Sequence, residues 1–226
     1  MYDYKAIPQF VIKPATLGNI SITHTDSTYY LHSGEQQFMC LNTVTNREIK
    51  EQYAMYDVTY GDVLLTGFGF GILPLWVASK PEVTSVTVVE LSKEVVDLFL
   101  QNNQLPDKVN IEYADAKTYT TDKHYDCLIL DHYPDNKAFS VYDEVTTSAK
   151  NIPHDLLWFY QLEGHYVRNF YDIKTARIDL GLDSLEGYDF YTRWQDYRNS
   201  FKLNTFPTLD KETLDYYIKC YFDKLK

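Results

Sequence analysis

The stretch GDVLLTGFGFGILPL, residues 61–75, decides how the rest of the chain is read. An apolar run, Val63–Thr66, leads into three glycines alternating with phenylalanines, Gly67, Gly69 and Gly71, and Ile72–Ser79 then has the composition of a helix. Pro74 suits the first turn of that helix, where the early N–H groups have no intrahelical partner. Strand, bare backbone, helix is the order in which open α/β sheets build a ligand site, at the carboxyl ends of the strands. Glycines at such a turn let a ligand approach the main chain closely. The competing explanation is a tight packing turn, so the neighbouring strands have to decide.

They continue the alternation. Ser85–Glu90 (SVTVVE) is expected as a second strand, Lys93–Asn102 as a helix, and Val109–Tyr113 and Cys127–Leu130 as further strands. Ser92 is placed to cap the helix, whose early Glu94 and Asp97 suit its positive start. Continuous apolar runs, rather than strict alternation, imply parallel strands covered on both faces. The fold class is therefore α/β, a doubly wound and mostly parallel sheet with flanking helices. Ahead of it, Ile20–Asn42 reads as short strands, with a turn at 32–35 between Thr28–Leu31 and Gln37–Leu41. Asn46–Tyr56 reads as a helix. Beyond it, Asp155–Leu162 and Asp172–Leu180 are expected as helices and Gly164–Asn169 as a strand. At the carboxy terminus Asp210 caps a helix with Leu214, Ile218, Tyr221, Phe222 and Leu225 on one face. The expected division is a β-hairpin region over 1–45, a cofactor-binding domain over 46–170 and a helical extension over 171–226.

The second strand ends in Glu90, 23 residues after Gly67, where an acid accepts hydrogen bonds from ribose hydroxyls. A nicotinamide dinucleotide fingerprint, GxGxxG, would need glycine at position 72, which is Ile72. No Gly-Lys-Ser/Thr follows, which excludes a P-loop. GxGxG suits S-adenosylmethionine, which has no pyrophosphate to seat on the helix start. Asp115 and Ala116 follow the third strand, where an acid receives the adenine amino group, and Asp131 closes the fourth, facing the reactive end. The expected cofactor set is Gly67, Gly69, Gly71, Glu90, Leu91, Asp115, Ala116 and Asp131.

With those residues in place, the segment from Ser33 to Asn136 resembles the class I S-adenosylmethionine-dependent methyltransferases, and within them a spermidine-synthase-like branch of phage and bacterial proteins. FMCLNTVTNRE, GDVLLTGFGFG, YADAK and YDCLILDHYPD carry the likeness, and PEVTSVTVVELSKEV is its most specific piece. The resemblance implies a seven-stranded Rossmann-like sheet, the cofactor over the glycine loop, and a homodimer contact through the amino-terminal hairpin. Many of these methyltransferases carry an acid two residues before the first glycine, here Leu65, and aminopropyltransferases lack it as well. Aminopropyltransferases, however, place an aspartate in the loop where this chain has Phe70, and their Asp-x-x-Asp-Pro is Asp131-His-Tyr-Pro-Asp135 here. Tyr133-Pro134 is similar to the aromatic wall that some amine methyltransferases set against the acceptor. Asp131 and Tyr133 are thus the expected catalytic residues, with His132 beside them and no metal. Methyl transfer to a small acceptor leads. Aminopropyl transfer is the second reading, and a non-catalytic cofactor-binding interaction protein is the third.

Composition narrows the partners. The 226 residues carry 32 Asp and Glu against 21 Lys and Arg, a formal net charge of -11, without a basic run. That disfavours nucleic acid, whose affinity comes mainly from phosphate neutralisation. Glu48, Glu51 and Gln52 on the helix before the loop are candidate substrate contacts, and an acidic site favours a cationic acceptor such as an amine. Cys40, Cys127 and Cys220 are odd in number and unpaired by spacing, which fits reduced thiols. The amino terminus, MYDYKAIPQF, lacks a basic and then apolar leader, and no run approaches the ~20 apolar residues of a membrane span. The expectation is a cytoplasmic protein with a small-molecule substrate. The 21 tyrosines, including the cluster Tyr188–Phe201, are expected to cover a core with their hydroxyls wet.

Overall fold

The computed structural model describes residues 7–132, 140–160, 162 and 209–223. Tyr133, the strand expected at Gly164–Asn169, the helix expected at Asp172–Leu180 and the cluster Tyr188–Phe201 lie outside them. Four strands form an antiparallel sheet in sequential order: β1 (Ala15–Leu17), β2 (Ile20–Thr25), β3 (Thr28–Ser33) and β4 (Gln36–Asn42). Its register puts Ile22 opposite Leu31 and Leu31 opposite Met39, so one face carries the apolar set. Ile20, Ile22, Leu31 and Leu41 are buried, while Thr23 and His24 stay in solvent. Gly34 turns the β3–β4 hairpin at φ +58, a backbone region that L side chains rarely enter. The expected strands and turn are present here. β1, three residues without alternation, was not foreseen.

α1 (Arg47–Asp57) crosses to a second sheet of five parallel strands. Its members are β5 (Gly61–Thr66), β6 (Val83–Glu90), β7 (Val109–Tyr113), β8 (Tyr125–Leu130) and β9 (His154–Phe159), in the order β7-β6-β5-β8-β9. α2 (Ile72–Ala78), α3 (Lys93–Leu100) and α4 (Ser140–Lys150) connect them, and α5 (Lys211–Asp223) follows later in the chain. Val63, Leu64, Val86, Val88, Cys127, Leu128 and Ile129 are all sealed on both faces, as continuous apolar runs require. Strand order reverses between β5 and β8, so the crevice for a ligand lies over their carboxyl ends. The fold is the expected doubly wound, Rossmann-like sheet preceded by an antiparallel one.

Two local expectations are corrected. Asp155–Leu162 is not a helix: His154–Phe159 is β9, paired parallel to β8 with Leu157 opposite Leu128 and Phe159 opposite Leu130. Leu-Leu-Trp-Phe is apolar throughout, so its periodicity cannot separate strand from helix, and pairing with β8 decides. Ser92 occupies the N-cap of α3 but makes no side-chain cap bond, because its hydroxyl donates to Glu94 Oε2 at 3.0 Å instead. Asp210 behaves as foreseen and accepts from the Thr213 N–H at 2.7 Å.

Lys80 fastens α1 to the sheet. Its ammonium donates to the carbonyls of Tyr56, Asp57 and Thr59 at 3.0, 2.9 and 2.7 Å, at the negative end of that helix. Tyr56 stacks on Trp76 of α2 with ring centroids 4.2 Å apart, completing the dock. Lys80→Met keeps the apolar stem and removes the ammonium from all three carbonyls, of which Tyr56's retains the Thr59 N–H and hydroxyl. It is expected to destabilise the fold by about 2 kcal/mol in urea titration. A loss below about 0.5 kcal/mol would show that the ammonium contributes little. No helix among the described residues is long and apolar enough to cross a membrane.

Candidate active site

A cleft of about 1380 Å³ opens over the carboxyl ends of the parallel strands, roofed by α1 and β4. Gly67, Phe68 and Gly69 form its floor, and Glu90, Leu91, Asp115, Ala116, Asp131 and His132 follow from successive strand ends. The sequence-predicted acids are thus brought together, and the helix residues Glu48, Glu51 and Gln52 face the same space.

Gly71 is the exception. It precedes α2 at φ +76, and a Cβ there would come within 2.8 Å of Phe99 and 3.0 Å of Phe68. Its bareness serves packing between the loop and α3, and it does not line the cleft. Gly67 answers to a different constraint. At φ +84 its Cβ would run into the main-chain carbonyl of Asp131, so the end of β8 and the loop can close together only over glycine.

Glu90 fixes the loop. One carboxylate oxygen accepts the Phe68 N–H and the other the Ser92 N–H, each at 2.7 Å. A carboxylate has about four lone-pair sites, so both oxygens keep capacity for donors from a ligand. Leu91 beside it is 74% exposed, an apolar surface presented to the cleft. Asp115 Oδ1 accepts from the Lys117 N–H at 2.9 Å, which rigidifies the turn after β7.

At the other end Asp131 lies among acids. Its N–H is held by the Thr66 carbonyl and hydroxyl at 3.1 and 3.0 Å, and the Thr66 hydroxyl also meets His132 Nδ1 at 2.7 Å. Burial, and then the Glu51 charge, push the Asp131 carboxyl up to about 8, against a smaller opposing effect of a Gln52 hydrogen bond. Glu51 is itself buried. Its carboxylate accepts from Arg47 Nε at 2.9 Å and from the Tyr160 hydroxyl. Burial, with Glu48, Glu51 and Asp131 nearby, raises Tyr160 well above 10. Burial and the same helix acids raise the Cys40 thiol. Glu48 and Glu51 of α1 thus set a negative potential over this lobe, against which Asp131 keeps its proton to about pH 8.

Tyr160 went unforeseen as a site residue. It follows β9, and only the strand assignment carries it to the cleft. Phe70, where a loop acid would have to be, is 2% exposed and packs below the floor beside Val95, Leu98 and Phe99.

No protein-family model matches this chain, and no curated protein matches it by sequence. Among solved structures it is similar to the spermidine synthase of Thermotoga maritima, at 15% identity and a TM-score of 0.45, over 62% of this chain and 52% of that one. It is also similar to the N-methyltransferase NodS of Bradyrhizobium japonicum in complex with S-adenosyl-L-homocysteine, at 15% identity and a TM-score of 0.40, over 51% and 61%. A third likeness is to DhpI in its SAH complex, at 15% identity and a TM-score of 0.36, over 46% and 50%. The chain thus matches about half to three fifths of the length of these structures.

Proposed function

We propose that this chain is an S-adenosylmethionine-dependent methyltransferase acting on a small, amine-type acceptor. The observation that carries the reading is the convergence of Glu90, Asp115 and Asp131 with the Gly67–Gly69 floor on one cleft at the switch point of the sheet. These residues fit an adenosine. Glu90 holds the loop and keeps lone pairs for ribose hydroxyls, Leu91 offers an apolar face, and Asp115 can receive an amino group.

When bound, S-adenosylmethionine supplies a methyl group on a sulfonium, an electrophilic carbon with a neutral leaving group. The protein has to align the acceptor and dispose of its proton. Asp131 is the group for the second task. Half-buried at the edge of the cleft and beside Glu51, its carboxyl is more basic than an ordinary aspartate and suited to take a proton from an ammonium. Tyr133, the second catalytic candidate of the sequence, is proposed as an aromatic wall for the acceptor. The cleft carries the carboxylates of Glu48, Glu51, Glu90 and Asp115 against Arg47, Lys50 and Lys117, a balance that favours cations, and Asp131 adds a further negative charge once it loses its proton near pH 8. Aminopropyl transfer is less well supported, since the buried Phe70 leaves the loop without an acid to hold an amine.

The test is transfer of a labelled methyl group from S-adenosylmethionine to a panel of primary amines and guanidines. The expected result is turnover with at least one of them and none with alcohols of matching shape. S-adenosylhomocysteine binding without transfer to any acceptor would move the protein to the non-catalytic reading.

A further inference from the structure

The glycine loop brings backbone and no charge to the cofactor. Leu65, two residues before Gly67, is 1% exposed in the core, and Phe70 is turned below the floor. An S-adenosylmethionine tail ends in an α-ammonium and an α-carboxylate, and both need partners. On the roof above the loop, α1 brings Arg47, Glu51 and Gln52, a guanidinium, an acid and an amide, to the cleft beside Glu48 and Lys50.

We propose that Arg47, Glu51 and Gln52 form a clamp for the amino-acid tail of the cofactor, Glu51 and Gln52 Oε1 taking the α-ammonium and Arg47 the α-carboxylate. The inference rests on the S-adenosylmethionine reading and deepens it.

Gln52 supplies the sign that a ligand belongs here. The residue is 2% exposed and lines the cleft, yet its Oε1 has no hydrogen-bond donor among the described residues. Its Nε2 donates to Glu48 Oε1 at 3.0 Å, and its amide also bonds Asp131. Rotating the amide would turn its oxygen onto the Glu48 carboxylate, so the network fixes its orientation. A buried carbonyl without a donor is unfavourable by roughly 1–3 kcal/mol, which an incoming N–H relieves.

Glu51 is held from two sides, by the Tyr160 hydroxyl and by Arg47 Nε, so its carboxylate is fixed before any ligand arrives. Arg47 uses Nε alone among the described residues, and its side chain is 60% exposed. The remaining guanidinium nitrogens form a planar fork suited to a carboxylate. Arg47 and Glu51, in contact at i and i+4, thus present opposite charges side by side, as an α-amino acid does. With the ammonium on Glu51 and Gln52, Asp131 stays available for the acceptor's proton.

Three ligands separate the parts, titrated calorimetrically into the full chain. S-adenosylhomocysteine carries both charged groups, its decarboxylated form S-adenosyl-3-thiopropylamine carries the ammonium only, and methylthioadenosine carries neither. The expected order is a loss on the order of tenfold in affinity at each step. Arg47→Met should bring S-adenosylhomocysteine down to the level of the decarboxylated ligand, with Arg47→Lys intermediate. Glu51→Gln should weaken both ammonium ligands on the order of tenfold and leave methylthioadenosine within about twofold. Gln52→Leu, of similar volume, gives the same selective loss should Glu51→Gln fail to fold. Equal binding of S-adenosylhomocysteine and methylthioadenosine, or an Arg47→Met loss shared by all three, would overturn the clamp while leaving the nucleoside site. Heat from none of the three would overturn the cofactor reading, and the clamp with it.

Discussion

Gly67→Ala is expected to lose S-adenosylhomocysteine binding by on the order of a hundredfold and to destabilise the fold by about 3 kcal/mol. Two costs add. A φ of +84 is strained for any residue with a Cβ, by about 1–2 kcal/mol. The methyl would also run into the Asp131 carbonyl, which is main chain and cannot swing aside as a flexible side chain does. The strand ends there are tied. Gly67 N–H donates to Val89 at 2.9 Å, and Asp131 N–H donates to Thr66 at 3.1 Å. The clash therefore has to move either the floor or Asp131, and both belong to the proposed site. Gly69→Ala is the contrast. Its Cβ would meet the Met39 thioether, the end of a side chain that can rotate away, so a much smaller effect is expected at a similar positive φ. Calorimetry and urea unfolding on the two variants check both halves. Binding by Gly67→Ala within about threefold of the unaltered protein would show that floor and strand end are not coupled.

The sequence made these contacts partly legible, for a physical reason. β5, β6 and β8 contain continuous apolar runs, while β7 at the sheet edge alternates (VNIEY), and each ends in or beside a residue whose spacing is set locally, so Glu90, Asp115 and Asp131 could be placed from the chain alone. The motif could not distinguish the duties of its three glycines. Gly67 and Gly71 have nearly the same φ, but one meets a carbonyl of β8 and the other the ring of Phe99, partners far apart in the chain. Tyr160 was illegible because its contact with Glu51 spans 109 residues and depends on β9 being a strand. The run Leu156–Phe159 is apolar at every position, and only the open edge of β8 makes it one. Gln52 was visible as a cleft-facing candidate, but its unmatched oxygen is a property of the packed network.

Asp131→Asn should lower turnover by on the order of a hundredfold or more and make the protein increasingly more stable than the unaltered chain as pH rises from about 4 to 8. The two effects have one origin. The folded protein keeps the Asp131 proton to about pH 8, whereas the unfolded chain releases it near the ordinary 3.8. Between those values the native state binds more protons than the unfolded one, so this group's contribution to stability falls as pH rises, by at most about 1.4 kcal/mol per pH unit. Above about 8 a charged Asp131 lies beside Glu51, with its burial only partly offset by Gln52. Asparagine keeps the shape and removes that charge, so its stability curve should lose this fall. In the unaltered protein, if it turns over as proposed, kcat/KM for the cofactor should climb as pH approaches 8 and level off above it, and in Asp131→Asn this limb should vanish. Urea midpoints from pH 5 to pH 9, read beside the rate profiles, give both answers. A purely structural Asp131 would lose stability and rate together at every pH. Loss of rate together with a gain of stability that grows between about pH 4 and 8 and stays level above it is the signature expected of a carboxyl kept in an unfavourable place for the proposed reaction.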